Sequence, residues 1–283
     1  MTTSGAPTEP VIVLRDLPVA LFEASSPQWG DMLRDYLFRG LGGADQPFGV
    51  DDVGRSVAAL DLLRRSVAAA RAAEPAADRL VVEVTLVRAS SSDFAILQGA
   101  LDHARQLAVA GEMLALPSLP EVVVFRDWFC DEVLGQSAGA PPMPWEFVPR
   151  IDAPVEVELA EWDISIAPPD VEPWLVADDH HRIIGASSAA IALLGWSRGG
   201  LVGQRLLAVV PDRLRELHVA GFTRGVVNGE HRLLGVPLSL PALRRDGTEV
   251  AITLTLSRHA ARRGRAVYLG RIEPEPDAAS AEQ

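Results

Sequence analysis

A chain of 283 residues, 48% of them hydrophobic, has room for two domains that each bury a core, which excludes a mainly disordered protein. Its one cysteine, Cys130, excludes an intrachain disulfide framework, and no uncharged apolar run approaches the ~20 residues of a membrane span. Residues 1–170 hold 12 Arg against 26 acidic residues and residues 171–283 hold 14 Arg against 12. So acidic a first half makes direct nucleic-acid binding unexpected, because phosphate neutralisation drives that affinity.

Every one of the 26 basic residues is arginine, which with abundant Ala, Gly, Pro and Val points to a GC-rich, actinobacterial genome. Met1 to Pro10 has no basic-then-apolar leader, so a cytoplasmic protein with a disordered tail at residues 1–10 is expected. Val11 to Phe22 is apolar and interrupted by Pro18, the pattern of an edge strand. Ser25-Ser26-Pro27 reads as a helix start, and Gln28 to Arg39 places Trp29, Met32, Leu33, Tyr36 and Leu37 on one side. Asp51-Asp52 cap a helix to Ala73 with a stripe of Val53, Val57, Leu60, Leu63 and Val67, leaving Arg64-Arg65 to solvent. Leu80 to Val87 is β-rich. Ser90 to Asp93 then cap a helix through Phe94, Leu97 and Leu101 to Leu114. Pro117 to Pro120 end it, and Glu121 to Gly135 form another helix anchored by Phe125, Trp128 and Phe129. Residues 11–148 thus form a helix-rich α+β domain. Pro and acidic residues dominate 149–173, which reads as a linker with a strand near Val155 to Leu159.

From Trp174 the pattern changes. Trp174 to Ala177 and Arg182 to Gly185 flank the turn Asp178-Asp179-His180 as a tight hairpin. Ala189, Ala190, Leu193 and Leu194 recur at helical spacing and stop at Gly195. Val250, Ile252, Leu254 and Leu256 alternate with Ala251, Thr253, Thr255 and Ser257, a half-buried antiparallel strand reached through the turn Arg245-Asp246-Gly247. After Glu273 the tail, 274–283, is low in complexity and expected to be disordered.

Two strands, short helices and three strands, with Leu194-Gly195-Trp196-Ser197, Leu201-Val202-Gly203-Gln204, Val210-Pro211, Arg232-Leu233-Leu234-Gly235 and Arg244-Arg245-Asp246-Gly247-Thr248 in register, resemble a PAS domain over residues 174–273. Ser187 stands where that family usually has Asn. The resemblance implies an α+β fold, a five-stranded antiparallel sheet with short helices on one face, and a sensory role. It implies a ligand cavity lined by Leu193, Leu217, Phe222, Leu254 and Tyr268, and a helix Asp212–Val227 whose arrangement the ligand would bias. Gly111-Glu112-Met113-Leu114 and Trp128 to Val133, followed by Pro141 to Trp145, resemble a helical module of actinobacterial signalling proteins. That module accompanies kinase-like or phosphatase partners of sigma-factor control.

His218 sits at or next to the position of the proximal haem ligand in oxygen-sensing PAS domains, so a haem sensor is the alternative, although Gly235-Val236-Pro237 lacks the gas-contacting Arg of that group. A cysteinyl-flavin photosensor is excluded, because Cys130 lies outside the domain. His103 reads as an exposed helix residue rather than a phosphoacceptor, and His180-His181 as a poor metal site. Arg258, Arg262, Arg263 and Arg265 cluster at a hairpin tip, where they suit an acidic partner or the chain's own N-terminal block. No nucleophile–base pair, phosphate loop or metal-ligand spacing is visible, so an enzyme in the N-terminal block is the least favoured of three readings. The favoured one is a non-enzymatic, homodimeric sensor or adaptor in transcriptional signalling, working through a kinase, phosphatase or sigma-factor regulator.

Overall fold

A computed structural model of the chain describes residues 11–43, 46–86 and 90–275, in two compact units, Met1–Val148 and Pro149–Gln283. The expected tail at 1–10 lies outside the described residues, as does 276–283 of the other tail. Pro274 still belongs to the last strand.

In the first unit β1 (Val11–Pro18) pairs antiparallel with β2 (Arg79–Thr85), and α1 (Val19–Leu41), α2 (Val50–Ala73), α3 (Ser91–Val109) and α4 (Pro120–Ser137) pack with them. The predicted helix start at Ser25-Ser26-Pro27 is wrong: α1 begins at Val19 and carries Pro27 inside it. Arg64, expected in solvent, reaches Ser26 instead, its Nε donating to the hydroxyl at 3.0 Å. Tertiary bonds of this kind outweigh the local preference of proline for a helix's first turn. Val57 is 40% exposed, while Ser56 is fully buried and its hydroxyl donates to the Asp52 carbonyl. α3 stops at Val109 rather than at Leu114, because Gly111 adopts φ +73° and turns the chain.

Trp29, Phe125 and Phe129 form the centre of the core, with ring centroids 5.4–6.1 Å apart. Gln136 closes the free edge of β1: its amide oxygen accepts from the Val13 N–H and its nitrogen donates to the Val13 carbonyl, both at 2.9 Å. A side-chain amide thus occupies a backbone position where another strand would add.

The second unit is built on one antiparallel sheet of five strands, β3 (Trp174–Asp178), β4 (Ile183–Ala186), β5 (Leu238–Leu243), β6 (Glu249–Ala260) and β7 (Ala266–Pro274), in the order β4-β3-β7-β6-β5. Between β4 and β5 come α5 (Ser188–Leu193), α6 (Arg198–Leu201) and α7 (Arg215–Phe222), the last prolonged by a π turn, Thr223–Val227. This is the predicted architecture.

The two-residue period of β3 divides it between two cores. Leu175 joins Ile183, Ala190, Leu194, Leu201, Ile252 and Ile272 under the helices. Trp174 and Val176 join Val267 and Leu269 on the opposite face, covered by Ala160, Trp162, Ile166 and Ala167. Residues 149–173, read from composition as a linker, therefore include a strap that closes the second face. Trp162 stands edge-on to Trp174 at 6.1 Å and lies against Gly185, where a Cβ would come within 2.6 Å of its ring.

Ser187 caps α5. Its buried hydroxyl oxygen accepts from the Ala190 N–H and, across the sheet, from the Trp174 N–H, each at 3.0 Å. Ser187→Ala orphans both donors, and chemical denaturation should show a loss of about 2 kcal/mol.

Candidate functional site

The β3–β4 turn carries the polar centre of this unit. Asp178 bends the chain: its Oδ1 accepts from the N–H groups of His180 and Arg182, both at 3.0 Å. His181 then takes φ +66° and is fully buried, a left-handed conformation that His tolerates better than most side chains. Segment 203–206 runs alongside, fixed by Ile183 N–H to the Gln204 carbonyl at 2.8 Å and Leu206 N–H to the His181 carbonyl at 3.0 Å. That pairing sets Arg205 beside His181.

His181 meets the predicted residue His218 of α7, with their Nε2 atoms 2.9 Å apart. Its Nδ1 lies 3.2 Å from Arg205 Nη2, in a site where Arg205 is 1% exposed. Arginine only donates, so Nδ1 accepts and the His181 proton sits on Nε2. That proton is donated to His218 Nε2, which places the His218 proton on Nδ1. Desolvation first, then the charges of His218, Arg205 and Arg182, push the pKa of His181 well below its ordinary value. Phe222, one helical turn after His218, stands edge-on to the His181 ring at 4.6 Å and also faces Tyr268 at 6.4 Å.

The predicted haem ligand is therefore engaged. His218 Nε2 accepts a hydrogen bond from His181 Nε2–H at 2.9 Å, so that nitrogen is not open to iron in this arrangement. Of the predicted cavity residues, Leu193 and Leu254 pack against the inner core, and Phe222 and Tyr268 face each other. Leu217 does not belong with them. It is 61% exposed, because Arg215, Val219 and Ala220 take the buried side of α7.

Asp178, Asp179 and His180 offer ligand atoms close enough for a cation, yet a guanidinium already fills that place. Arg265 Nε lies 2.6 Å from Asp179 Oδ1, and its Nη2 reaches Asp179 at 2.5 Å and Asp178 at 3.3 Å. Burial by itself would raise the Asp179 pKa. His180, Arg265 and the Ala266 N–H overcome that and hold it at about 2.

Two further arginines of the hairpin tip find acidic partners in the strap. Arg262 meets Glu161 at 2.7 Å, Arg263 meets Glu158 at 3.3 Å, and Arg265 Nη1 donates to the Glu158 carbonyl at 2.9 Å. The first two pairs are exposed and add little stability. Arg182 holds the strap at the Ala153 and Pro154 carbonyls, and Arg205 Nη1 holds it at the Arg150 carbonyl at 2.9 Å.

In the first unit, His103 is half-buried and edge-on to Tyr36 at 5.7 Å, not an exposed helix residue. Cys130 is fully buried, which pushes its thiol pKa well up and leaves it unreactive. Sequence reasoning singled out His218 but missed its partner. The separation of 37 positions between His181 and His218 hid the contact, and the one local sign was the His218/Phe222 spacing that puts both on one helix face.

Comparison with known proteins agrees with the fold of the second unit. The family model described as the PAS fold matches residues 171–274. An uncharacterized protein of Azorhizobium caulinodans is 29% identical over 92 residues, which are 32% of this chain and 12% of that protein. This chain thus spans only a small part of that relative. Similar solved structures include a PAS domain of a two-component sensor histidine kinase (13% identity, TM-score 0.31, covering 37% of this chain and 86% of that one). Another is the PAS domain of an HTR-like protein from Haloarcula marismortui (17% identity, TM-score 0.30, covering 37% and 81%). The Rhodobacter sphaeroides LOV protein is also similar (13% identity, TM-score 0.33, covering 42% and 67%).

Proposed function

We propose that this chain is a non-enzymatic cytoplasmic sensor or adaptor whose PAS domain takes up a signal and passes it on as altered protein–protein contact. The observation that carries the reading is the two-ended bonding of Arg205. One guanidinium holds His181, in the polar centre between sheet and α7, and the Arg150 carbonyl, in the strap ahead of the domain. A change at the centre would reach the strap through that side chain, the kind of link that coupling between two sites requires.

The partner is a kinase, phosphatase or sigma-factor regulator, the output is regulation of transcription, and the sensor acts as a homodimer. The likeness of residues 171–274 to the PAS fold supports the sensory part. Among the described residues no helix is long and apolar enough to cross a membrane.

Light scattering of the purified full chain tests the oligomeric part. The expected mass is twice the 30.3 kDa of one chain, and a monomer at every concentration removes the homodimer. An absorption spectrum of the same protein, grown with haem precursor, should be featureless in the visible. A Soret band would contradict the hydrogen-bonded assignment of His218.

A further inference from the structure

We propose that His181 and His218 form a proton-operated latch: uptake of a proton by the pair parts α7 from the β3–β4 turn and, through Arg205, frees the strap at Arg150. This rests on the sensory reading and names its input as acidification.

The hydrogen-bond count carries the inference. Along Arg205–His181–His218 each contact holds one proton, and each facing imidazole lone pair is already an acceptor. A solvent proton has two places to go. On His181 Nδ1 it would oppose the Arg205 N–H at 3.2 Å. On His218 Nε2 it would oppose the His181 N–H at 2.9 Å. Either bond breaks, and on the fully buried His181 the added charge would also lie beside the Arg205 guanidinium.

Asp178 and Asp179 of the turn are committed to Arg265 and to backbone N–H groups. His180 lies 2.9 Å from Asp179, and Arg182 and Arg205 are cations. On α7, Arg215 bonds the Leu207 and Val210 carbonyls and Glu216 lies two residues before His218. Tyr268 of β7 has its pKa raised by burial and bonds Arg258 of β6.

The sign follows from the depressed pKa of His181. The latched state refuses a proton that the open state accepts near an ordinary pH of about 6.5, so the latch is fully closed above that value and weakens as pH falls below it.

Hydrogen exchange of the full chain at about pH 7.5 and 5.5, corrected for intrinsic rates, tests this. Opening of residues 150–154 and 215–222 should rise about tenfold if one imidazole takes up a proton, and about a hundredfold if both do. His181→Asn, which suits the left-handed backbone, should abolish the dependence. His218→Gln should leave no more than the tenfold part. Should either variant fail to fold, imidazole NMR of the unaltered protein decides: His181 and His218 must titrate together with the amides of Arg150 to Ala153. Unchanged protection between the two pH values, titration without a response in the strap, or equal loss of protection across β6 and β7 would each overturn the latch. The sensory reading would survive with another input.

Discussion

Asp179→Asn is expected to cost the C-terminal unit about 3 kcal/mol, the scale for removing one partner of a buried ion pair. Asp179 is 5% exposed at the side chain and Arg265 18%, so the guanidinium left behind has little water to turn to. An asparagine cannot replace the carboxylate, because Asp179 Oδ1 faces Arg265 Nε and Oδ2 faces the Ala266 N–H at 3.0 Å. One of the two donors would meet an NH₂ group instead of an oxygen. Arg265 also holds the Glu158 carbonyl, so the strap should loosen with the turn.

The pH dependence supplies a second check. With a pKa held at about 2 against an ordinary 3.8, Asp179 stabilises the folded protein fully above the ordinary value. That contribution is lost as pH falls through the folded one. Urea melts should find the two proteins furthest apart near neutrality and converging between about pH 4 and 2. A constant difference across that window would mean that the carboxylate charge is not what holds Arg265.

Arg205→Met is expected to lower stability by about 2 kcal/mol and to break the link between the polar centre and the strap. Methionine matches the volume of the aliphatic stem, so no large cavity forms. The backbone pairing of segment 203–206 with His181 and Ile183 does not depend on the side chain. The loss is specific: His181 Nδ1 becomes a buried acceptor facing no donor from Arg205, whereas the Arg150 carbonyl keeps the Ala153 N–H at 3.1 Å. Hydrogen exchange should show residues 150–154 open at neutral pH, with protection of β6 and β7 unchanged. If the strap stays protected in this variant, Arg182 and Arg265 suffice to hold it and Arg205 is not the coupling residue.

Local sequence determined a good deal of this protein. The strict alternation at Val250 to Ser257, the turns at Asp178 and Asp246, the stop at Gly195 and the helical stripes of the first half each state a secondary structure through side-chain period and backbone preference. The words around Leu194-Gly195-Trp196-Ser197 carried the fold of residues 174–273.

What remained belongs to contacts between segments far apart in the chain. Pro27 sits within a helix where Arg64, from another helix, bonds Ser26. The strap looks like a solvated linker because prolines and acids are interspersed along it, and Ala160, Trp162 and Ile166 do not announce which surface they cover. Only the outer face of β3 and β7 makes them a core. His181 reads as half of a polar turn until Arg205 and His218 are brought to its two nitrogens. Periodicity reports which face of an element is apolar. Which polar atoms meet in the interior is decided when the sheet closes, because every buried donor and acceptor must then find its partner among residues that the chain order keeps apart.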